Sequence, residues 1–239
     1  MTPMRLILLA ILALQAAPAQ SEADKLEAAL KKFGDRKYRV TEGGKPTGTM
    51  TLKTRIEVVG DRKEVVLEDR LERKIGDAVE TVTITETSNL EGLALVRADL
   101  TATTAKGEVK ATASIREGDA YISGPDGILM LIGVEGGMGI LAPPRILCMK
   151  KQEVGAHFNA EVILWNTPSD NQSHEFRCVS KESIEVGGKK VEAFKWEVRW
   201  TGDLIKGGKQ SSEKTYWIAP DGALLRFKTA STEMVLESK

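Results

Sequence analysis

Residues Gly124–Arg145 read GPDGILMLIGVEGGMGILAPPR, and this stretch differs in pattern from the segments on both sides of it. It is densely apolar, yet its glycines and prolines are too frequent for a continuous strand or helix. The segments before and after it alternate between apolar and polar residues, as half-buried β-strands do. We therefore expect the stretch to interrupt a β-sheet as an apolar, flexible flap.

The flanking segments predict many β-strands that are joined by short turns. In Thr47–Val59, for example, the even positions are mostly apolar and several of the intervening positions are polar. Gly-Asp, Gly-Gly and Asp-Gly turns separate the segments, a spacing that favours an antiparallel meander over βαβ units. The predicted strands are Tyr38–Val40, Thr47–Val59, Glu64–Lys74, Val79–Ser88, Leu93–Thr104, Glu108–Glu117, Phe158–Asn166, Ser173–Val186, Lys189–Thr201, Lys209–Ala219 and Ala223–Leu236.

The segment Val191–Trp200 is the most informative of these strands. Four large side chains, Phe194, Trp196, Val198 and Trp200, fall on one face, and charged side chains fall on the other. Strands of this length twist and curl. The sequence therefore predicts a mainly β fold: a long, curved antiparallel meander sheet, forming a half-barrel or open barrel, whose concave side needs covering.

Two elements are available to cover it, one N-terminal helix and the flap. Ser21–Phe33 has apolar residues at helical spacing, with Ser21 as N-cap and Gly34 at its end. The flap has two interpretations that stay open: it completes a solid core, or it is a movable lid over an apolar cavity. We divide the chain into residues 20–36, carrying the helix, and 37–239, a single antiparallel β domain.

The N-terminal residues 1–19 are typical of a signal peptide. Arg5 precedes the apolar run Leu6–Leu14, and the small residues of Ala17-Pro18-Ala19 follow. We expect cleavage after Ala19 and a periplasmic or extracellular location. No later stretch predicts a transmembrane segment. The 34 basic and 34 acidic residues balance, so nothing indicates nucleic acid as a partner.

Cys148 and Cys178 are the only cysteines. A pair of cysteines in an exported chain predicts a disulfide. The alternative is a zinc site that these cysteines form with His157 and His174. That set lacks the closely spaced Cys pairs of structural zinc sites, so we expect no metal.

The closing hairpin Thr215–Phe227 reads TYWIAPDGALLRF. Together with Tyr38–Val40, Gly48–Thr51 and the glycine-rich middle, it resembles secreted bacterial domains of unknown function related to the lipoprotein-carrier (LolA/LolB-like) half-barrels. The resemblance implies a curved antiparallel sheet and the binding of acyl chains or another apolar ligand. The single predicted helix departs from the carriers' pattern.

We expect no enzyme and no cofactor, because no catalytic set stands out from the many carboxylates on polar strand faces. The predicted function is binding of a lipid, an acyl chain or another apolar molecule between the concave sheet face and the flap. The alternative is a structural or protein-interaction module of the cell envelope with a solid core. The predicted ligand-binding residues are Leu129, Leu131, Met138, Ile140, Phe194, Trp196 and Trp200.

Overall fold

The computed structural model describes residues 21–125, 127–131, 133–134, 136–165, 173–203 and 209–237. In this part of the chain, fourteen strands form one antiparallel sheet, accompanied by the helices α1 (Glu22–Phe33) and α2 (Ala142–Met149). The strands are β1 (Arg36–Glu42), β2 (Lys45–Val59), β3 (Arg62–Ile75), β4 (Ala78–Asn89), β5 (Leu95–Thr104), β6 (Gly107–Arg116), β7 (Asp119–Gly124), β8 (Gly127–Leu131), β9 (His157–Glu161), β10 (Ser173–Val186), β11 (Lys189–Asp203), β12 (Lys209–Ile218), β13 (Leu224–Lys228) and β14 (Thr232–Leu236).

The sheet is an open meander, and the first and last strands, β1 and β14, lie side by side in its middle. Consecutive strands pair as predicted, except β8 and β9, and β1 also pairs with β14, so the order runs from β8 through β1 and β14 to β9. Strands β8 and β9 are the two edges. Because hairpin turns connect antiparallel neighbours directly, local sequence determines almost every pairing. The predicted mainly β, antiparallel architecture is confirmed.

The sheet curls so that its two ends approach each other. Ile163 and Trp165, which follow edge strand β9, pack in one buried cluster with Ala98 of β5 and Ile122 of β7. A flat sheet of this order would hold these residues many strand spacings apart. The inner face therefore forms a concave surface that other elements fill.

The tryptophan-bearing face of β11 points into this interior, as predicted. Trp196 is fully buried and Trp200 nearly so, and both belong to the largest apolar cluster. Phe33 of α1 and Leu147 of α2 pack against the same cluster. Helix α1 is also confirmed: the Asp24 N–H donates to the Ser21 hydroxyl at 3.0 Å, and Gly34 ends the helix with φ of 57°.

The flap is not one irregular segment, which corrects the prediction. Its start is β8, paired with β7 through Ile122 and Leu129, and its end opens α2. Pro143 and Pro144 occupy the first turn of α2, where the backbone N–H groups have no helical acceptor and proline is tolerated. The two prolines therefore lie at the start of a second helix. The sequence did not predict this helix, because proline was taken to exclude helical structure.

Residues 136–141, which lead into α2, cross the interior, and we call them the insert. Met138 forms bridges to Ala94 on one side and Val162 on the other. Its N–H donates to Glu161 O at 2.9 Å and its C=O accepts from Ile163 N at 2.8 Å. The insert therefore joins the two ends of the curled sheet.

One smaller prediction also changes. The predicted strand Ala223–Leu236 is divided into β13 and β14, because a turn at Thr229 closes with a Thr229 N–H to Thr232 O hydrogen bond of 2.8 Å. The predicted signal peptide, residues 1–19, lies outside the described residues. Neither helix of the described chain has the length and apolar character to cross a bilayer.

The predicted disulfide is wrong, because both thiols are free. Cys148 lies on α2 with its thiol beside the backbone of Leu224 in β13, whereas Cys178 lies on β10. Strands β13 and β10 are three positions apart in the sheet. At about 4.8 Å per strand that separation exceeds the roughly 7 Å that a disulfide can span.

We expect two reactive thiols per chain in protein unfolded without reductant, and slow reaction in the folded protein. Burial raises the pKa of Cys148 to about 12 and also raises that of Cys178, so both thiols stay protonated at neutral pH. Titration with an aromatic disulfide reagent measures both states. A Cys148→Ser variant serves as the one-thiol control, and no reactive thiol in the unfolded protein would contradict the structure.

Candidate functional site

Polar side chains are buried inside the otherwise apolar interior. Asp69 of β3, Glu86 and Ser88 of β4, Arg145 of α2 and His174 of β10 each expose less than a tenth of their surface. Burying such groups costs free energy unless they are hydrogen-bonded or paired. Their partners therefore indicate what each one holds in place.

Glu86 holds the insert and the chain after β9. The backbone N–H groups of Ile140 and Leu141 donate to its two carboxylate oxygens, each at 2.8 Å. The Trp165 indole N–H donates to Oε1 at 2.7 Å. The pKa of Glu86 is raised to about 7, because complete burial, together with the nearby Asp69 charge, outweighs the three hydrogen bonds.

A buried ion pair fixes α2 to the sheet. Arg145 Nη2 lies 2.5 Å from Asp69 Oδ1, and Nη1 donates to Leu141 O at 3.0 Å. The guanidinium also lies over the Phe33 ring, 5.2 Å from its centroid, which brings α1 into the same arrangement. Asp69 and Glu86 thus bind consecutive parts of the chain from the insert into α2.

Two clefts open beside the helices. The larger, of about 660 Å³, lies between α1, the 90–93 turn, the insert and α2. The smaller, of about 490 Å³, lies between α1, the end of α2 and the start of β13. The apolar side chains that line the larger cleft include Leu26, Leu90, Leu93, Met138, Ile146, Met149 and Phe158. Both volumes fall within the range of small-molecule sites.

The seven predicted ligand-binding residues do not share one cavity. Trp196, Trp200, Phe194, Met138 and Ile140 belong to or pack against the largest cluster, whereas Leu129 and Leu131 pack with the second cluster near β5–β8. Met138 lines the larger cleft and Phe194 the smaller. Their role in binding a ligand stays a prediction.

Sequence reasoning missed the buried acids, although the alternation contains a signal. Asp69 falls between Leu67 and Leu71 on the apolar face of β3, and Glu86 follows Val82 and Ile84 on the inner face of β4. An acid in the apolar register of a strand predicts a buried partner. The identity of that partner is not encoded locally.

The four residues of the considered zinc site also separate. His157 is exposed on β9 while His174 is buried on β10. Within the described ranges, no three His, Cys, Asp or Glu side chains group closely enough to hold a metal ion.

Gly139→Ala should lower the free energy of unfolding by about 1–3 kcal/mol, the usual cost of overpacking a core. A Cβ at Gly139 would lie 2.2 Å from Glu86 Oε2, so it would push the carboxylate away from its backbone donors. Urea unfolding measures the effect. Gly124→Ala is the matched control, because its Cβ would meet only Ala111 Cβ, at 3.6 Å. Equal stability of the two variants would contradict a stabilising role for the hydrogen bonds between Glu86 and the insert.

Replacing Glu86 by Gln should remove a pH dependence of stability. The folded-state pKa of about 7 exceeds the ordinary 4.5, so the folded protein holds a proton that the unfolded chain releases between these values. The contribution is full below about pH 4.5 and lost as pH rises through 7. The stability difference between wild type and Glu86→Gln should therefore fall by about 3 kcal/mol across this window. Urea unfolding at several pH values tests it, and a constant difference would refute it.

No protein-family model matches the chain, and no curated protein matches it. Among solved structures, it is similar to a β-barrel-like protein of domain of unknown function DUF1849 from Brucella abortus, with 13% identity over 84% of this chain and 94% of that one, and a TM-score of 0.51. The hypothetical lipoprotein YmcC of Escherichia coli matches with 11% identity over 93% and 98% of the two chains, at a TM-score of 0.35. A Bacteroides fragilis protein with a YmcC-like fold matches with 12% identity over 85% and 93%, at 0.32.

The first of these matches establishes a likeness of fold. The two lower scores carry no further conclusion, and the resemblance to the LolA/LolB carriers stays a prediction. The chain is thus similar in architecture to a β-barrel-like protein whose function is itself unknown.

Proposed function

We propose that this chain is an exported, non-enzymatic β protein that binds an apolar ligand, a lipid or acyl chain, between its concave face and the Gly124–Arg145 segment. The observation that carries the proposal is the cleft of about 660 Å³ beside that face, between α1, the 90–93 turn, the insert and α2. Met138 of the insert forms part of its wall, together with Met149 of α2 and Phe158 of β9. The periplasmic or extracellular location belongs to the same proposal and depends on the N-terminal sequence pattern.

The chemistry of the cleft suits an apolar guest with a polar end. Methionines adapt their shape to different ligands because they are unbranched and polarizable. Lys25, Glu91 and Lys150 stand among the lining residues and supply polar groups. Phe158 also contacts Trp196 edge-on, with ring centroids 6.1 Å apart, so a guest in the cleft lies close to a tryptophan.

A binding role is favoured over catalysis because structural contacts occupy the interior acids. Glu86 accepts three hydrogen bonds and Asp69 pairs with Arg145. A general acid or base must lie within hydrogen-bonding distance of the substrate atom to which it gives, or from which it takes, a proton. These two carboxylates face the polypeptide itself.

A second candidate function, a protein-interaction module, is favoured by edge strand β8. Ile128 exposes 81% of its surface and Met130 exposes 45%, beside Tyr121 of β7. An exposed apolar edge strand is a template for pairing with a strand of another protein. A cell-envelope protein is the expected partner.

Met149→Glu should abolish ligand binding, because it places a carboxylate in the wall of the cleft. Ile128→Glu introduces the same charge on β8, outside the cleft, and should bind as wild type does. Native mass spectrometry of the purified proteins, with tryptophan emission on adding 1-dodecanol, measures binding. We expect bound apolar material and an emission change in wild type and Ile128→Glu only.

The same pair of variants tests the interaction module. If β8 is the functional surface, Ile128→Glu loses a co-purifying protein that Met149→Glu retains. Wild-type protein that is empty as purified and whose emission ignores dodecanol would overturn the binding proposal.

A further inference from the structure

A small enclosed cavity lies deeper in the interior, apart from the two clefts. It is bounded by β10, β11 and β12 on the sheet side and by Ile140 and Pro143 on the side of the insert and α2. Its volume is about 10 Å³, which is room for one water-sized group. Most of its walls are apolar, but His174 and Lys214 also line it.

His174 brings an unsatisfied polar atom to this cavity. The residue is only 3% exposed, and its Nε2 has no hydrogen-bond partner within the described structure. Its ring stacks between Phe176 and Trp200, with centroid distances of 6.4 and 5.9 Å. Burial, with a smaller contribution from the Lys214 charge, lowers the pKa of His174 to about 4, so the imidazole is neutral at physiological pH.

Lys214 brings a cation to the same cavity. It lies opposite Val198 in the register of β11 and β12, so it shares the inner face with Tyr216. Among the described residues, no hydrogen bond or ion pair engages its amine, and burial lowers its pKa. Lys214 is partly buried, and a cation with reduced access to water is stabilised by one negative charge placed beside it.

The interior acids of the sheet are already engaged elsewhere. Asp69 pairs with Arg145, and Glu86 accepts from the insert and Trp165. The cavity thus combines apolar walls, a cationic amine and an imidazole nitrogen, the groups that recognise a single carboxylate.

We propose that the cavity receives the carboxylate of an apolar acid, an acyl chain whose tail extends toward the larger cleft. Phe158 lines that cleft and stacks on Phe176, which lines the cavity, with ring centroids 4.6 Å apart. One aromatic pair therefore separates the two spaces. This inference rests on the proposed binding of an apolar ligand and adds its headgroup chemistry. The cavity has room for one water-sized group, so its walls must move apart to take the carboxylate, and the Phe158–Phe176 pair must part to admit the chain.

The test compares dodecanoate with 1-dodecanol at pH 7.5, using calorimetry and tryptophan emission. The two probes share a tail and differ in charge. Wild-type protein should bind dodecanoate at least about tenfold more tightly than dodecanol, the scale of a charge-assisted hydrogen bond. Lys214→Met and His174→Phe, which keep the side-chain volume or the ring, should remove most of that difference while leaving dodecanol binding unchanged.

Lys195→Met is the matched control, because Lys195 lies on β11 beside Glu197, partly exposed to solvent. It should behave as wild type. Lys214→Met without ligand should unfold at the same temperature as wild type or a higher one, because it removes a desolvated charge. If Lys214→Met does not fold, Lys214→Gln is measured in its place.

Each remaining outcome separates this inference from the proposed function. Equal affinity for dodecanoate and dodecanol overturns the carboxylate site and leaves apolar binding intact. Acetate binding as tightly as dodecanoate, abolished by Lys214→Met, identifies a free small anion as the occupant and overturns the acyl class. Binding of neither twelve-carbon probe overturns both proposals.

Discussion

The Glu86 carboxylate is the interaction on which the arrangement of this interior depends. An irregular segment that crosses a buried space carries backbone N–H groups that need acceptors. Glu86 supplies two of them to Ile140 and Leu141, and it also accepts from Trp165, which follows the opposite edge of the sheet. One side chain on β4 therefore holds the insert and the far end of the curled sheet together. Without it, these donors would lie in apolar surroundings unpaired.

The second buried acid extends this arrangement to both helices. Asp69 pairs with Arg145 of α2, whose guanidinium covers Phe33 of α1. A buried pair of this kind adds little net stability, because desolvation offsets much of the attraction. Its effect is on geometry: it determines where α2 lies against the sheet. The larger cleft occurs where α1, α2 and the insert meet, so the same contacts that cover the concave face also shape the proposed binding site.

The strands and the inner face of β11 were predictable because alternation is a local signal. Each hairpin turn specifies its own pairing, and Trp196 and Trp200 share a face by period alone. Helix α2 and strand β8 were hidden, because Pro143 and Pro144 were interpreted as helix breakers and the surrounding glycines as a flap. The disulfide between the two cysteines was predicted from the expected oxidising compartment. That argument contains no information on the distance between the thiols. Nothing in the sequence indicated that Lys214 and His174 meet, and His174 was considered only as a zinc ligand. Their shared cavity requires three neighbouring strands and the insert.

Local sequence is enough to predict the exported-type N-terminal pattern, the antiparallel meander, helix α1 and the inward tryptophan face. These features follow from periodicity and capping over a few residues. Tertiary packing, in contrast, sets the path of the insert across the interior, the separation of the two thiols and the pairing of the buried polar groups. Arg145 and Asp69 are 76 residues apart, and Trp165 and Glu86 are 79 apart. Contacts over such separations depend on how far the whole sheet curls, a property that no single segment encodes.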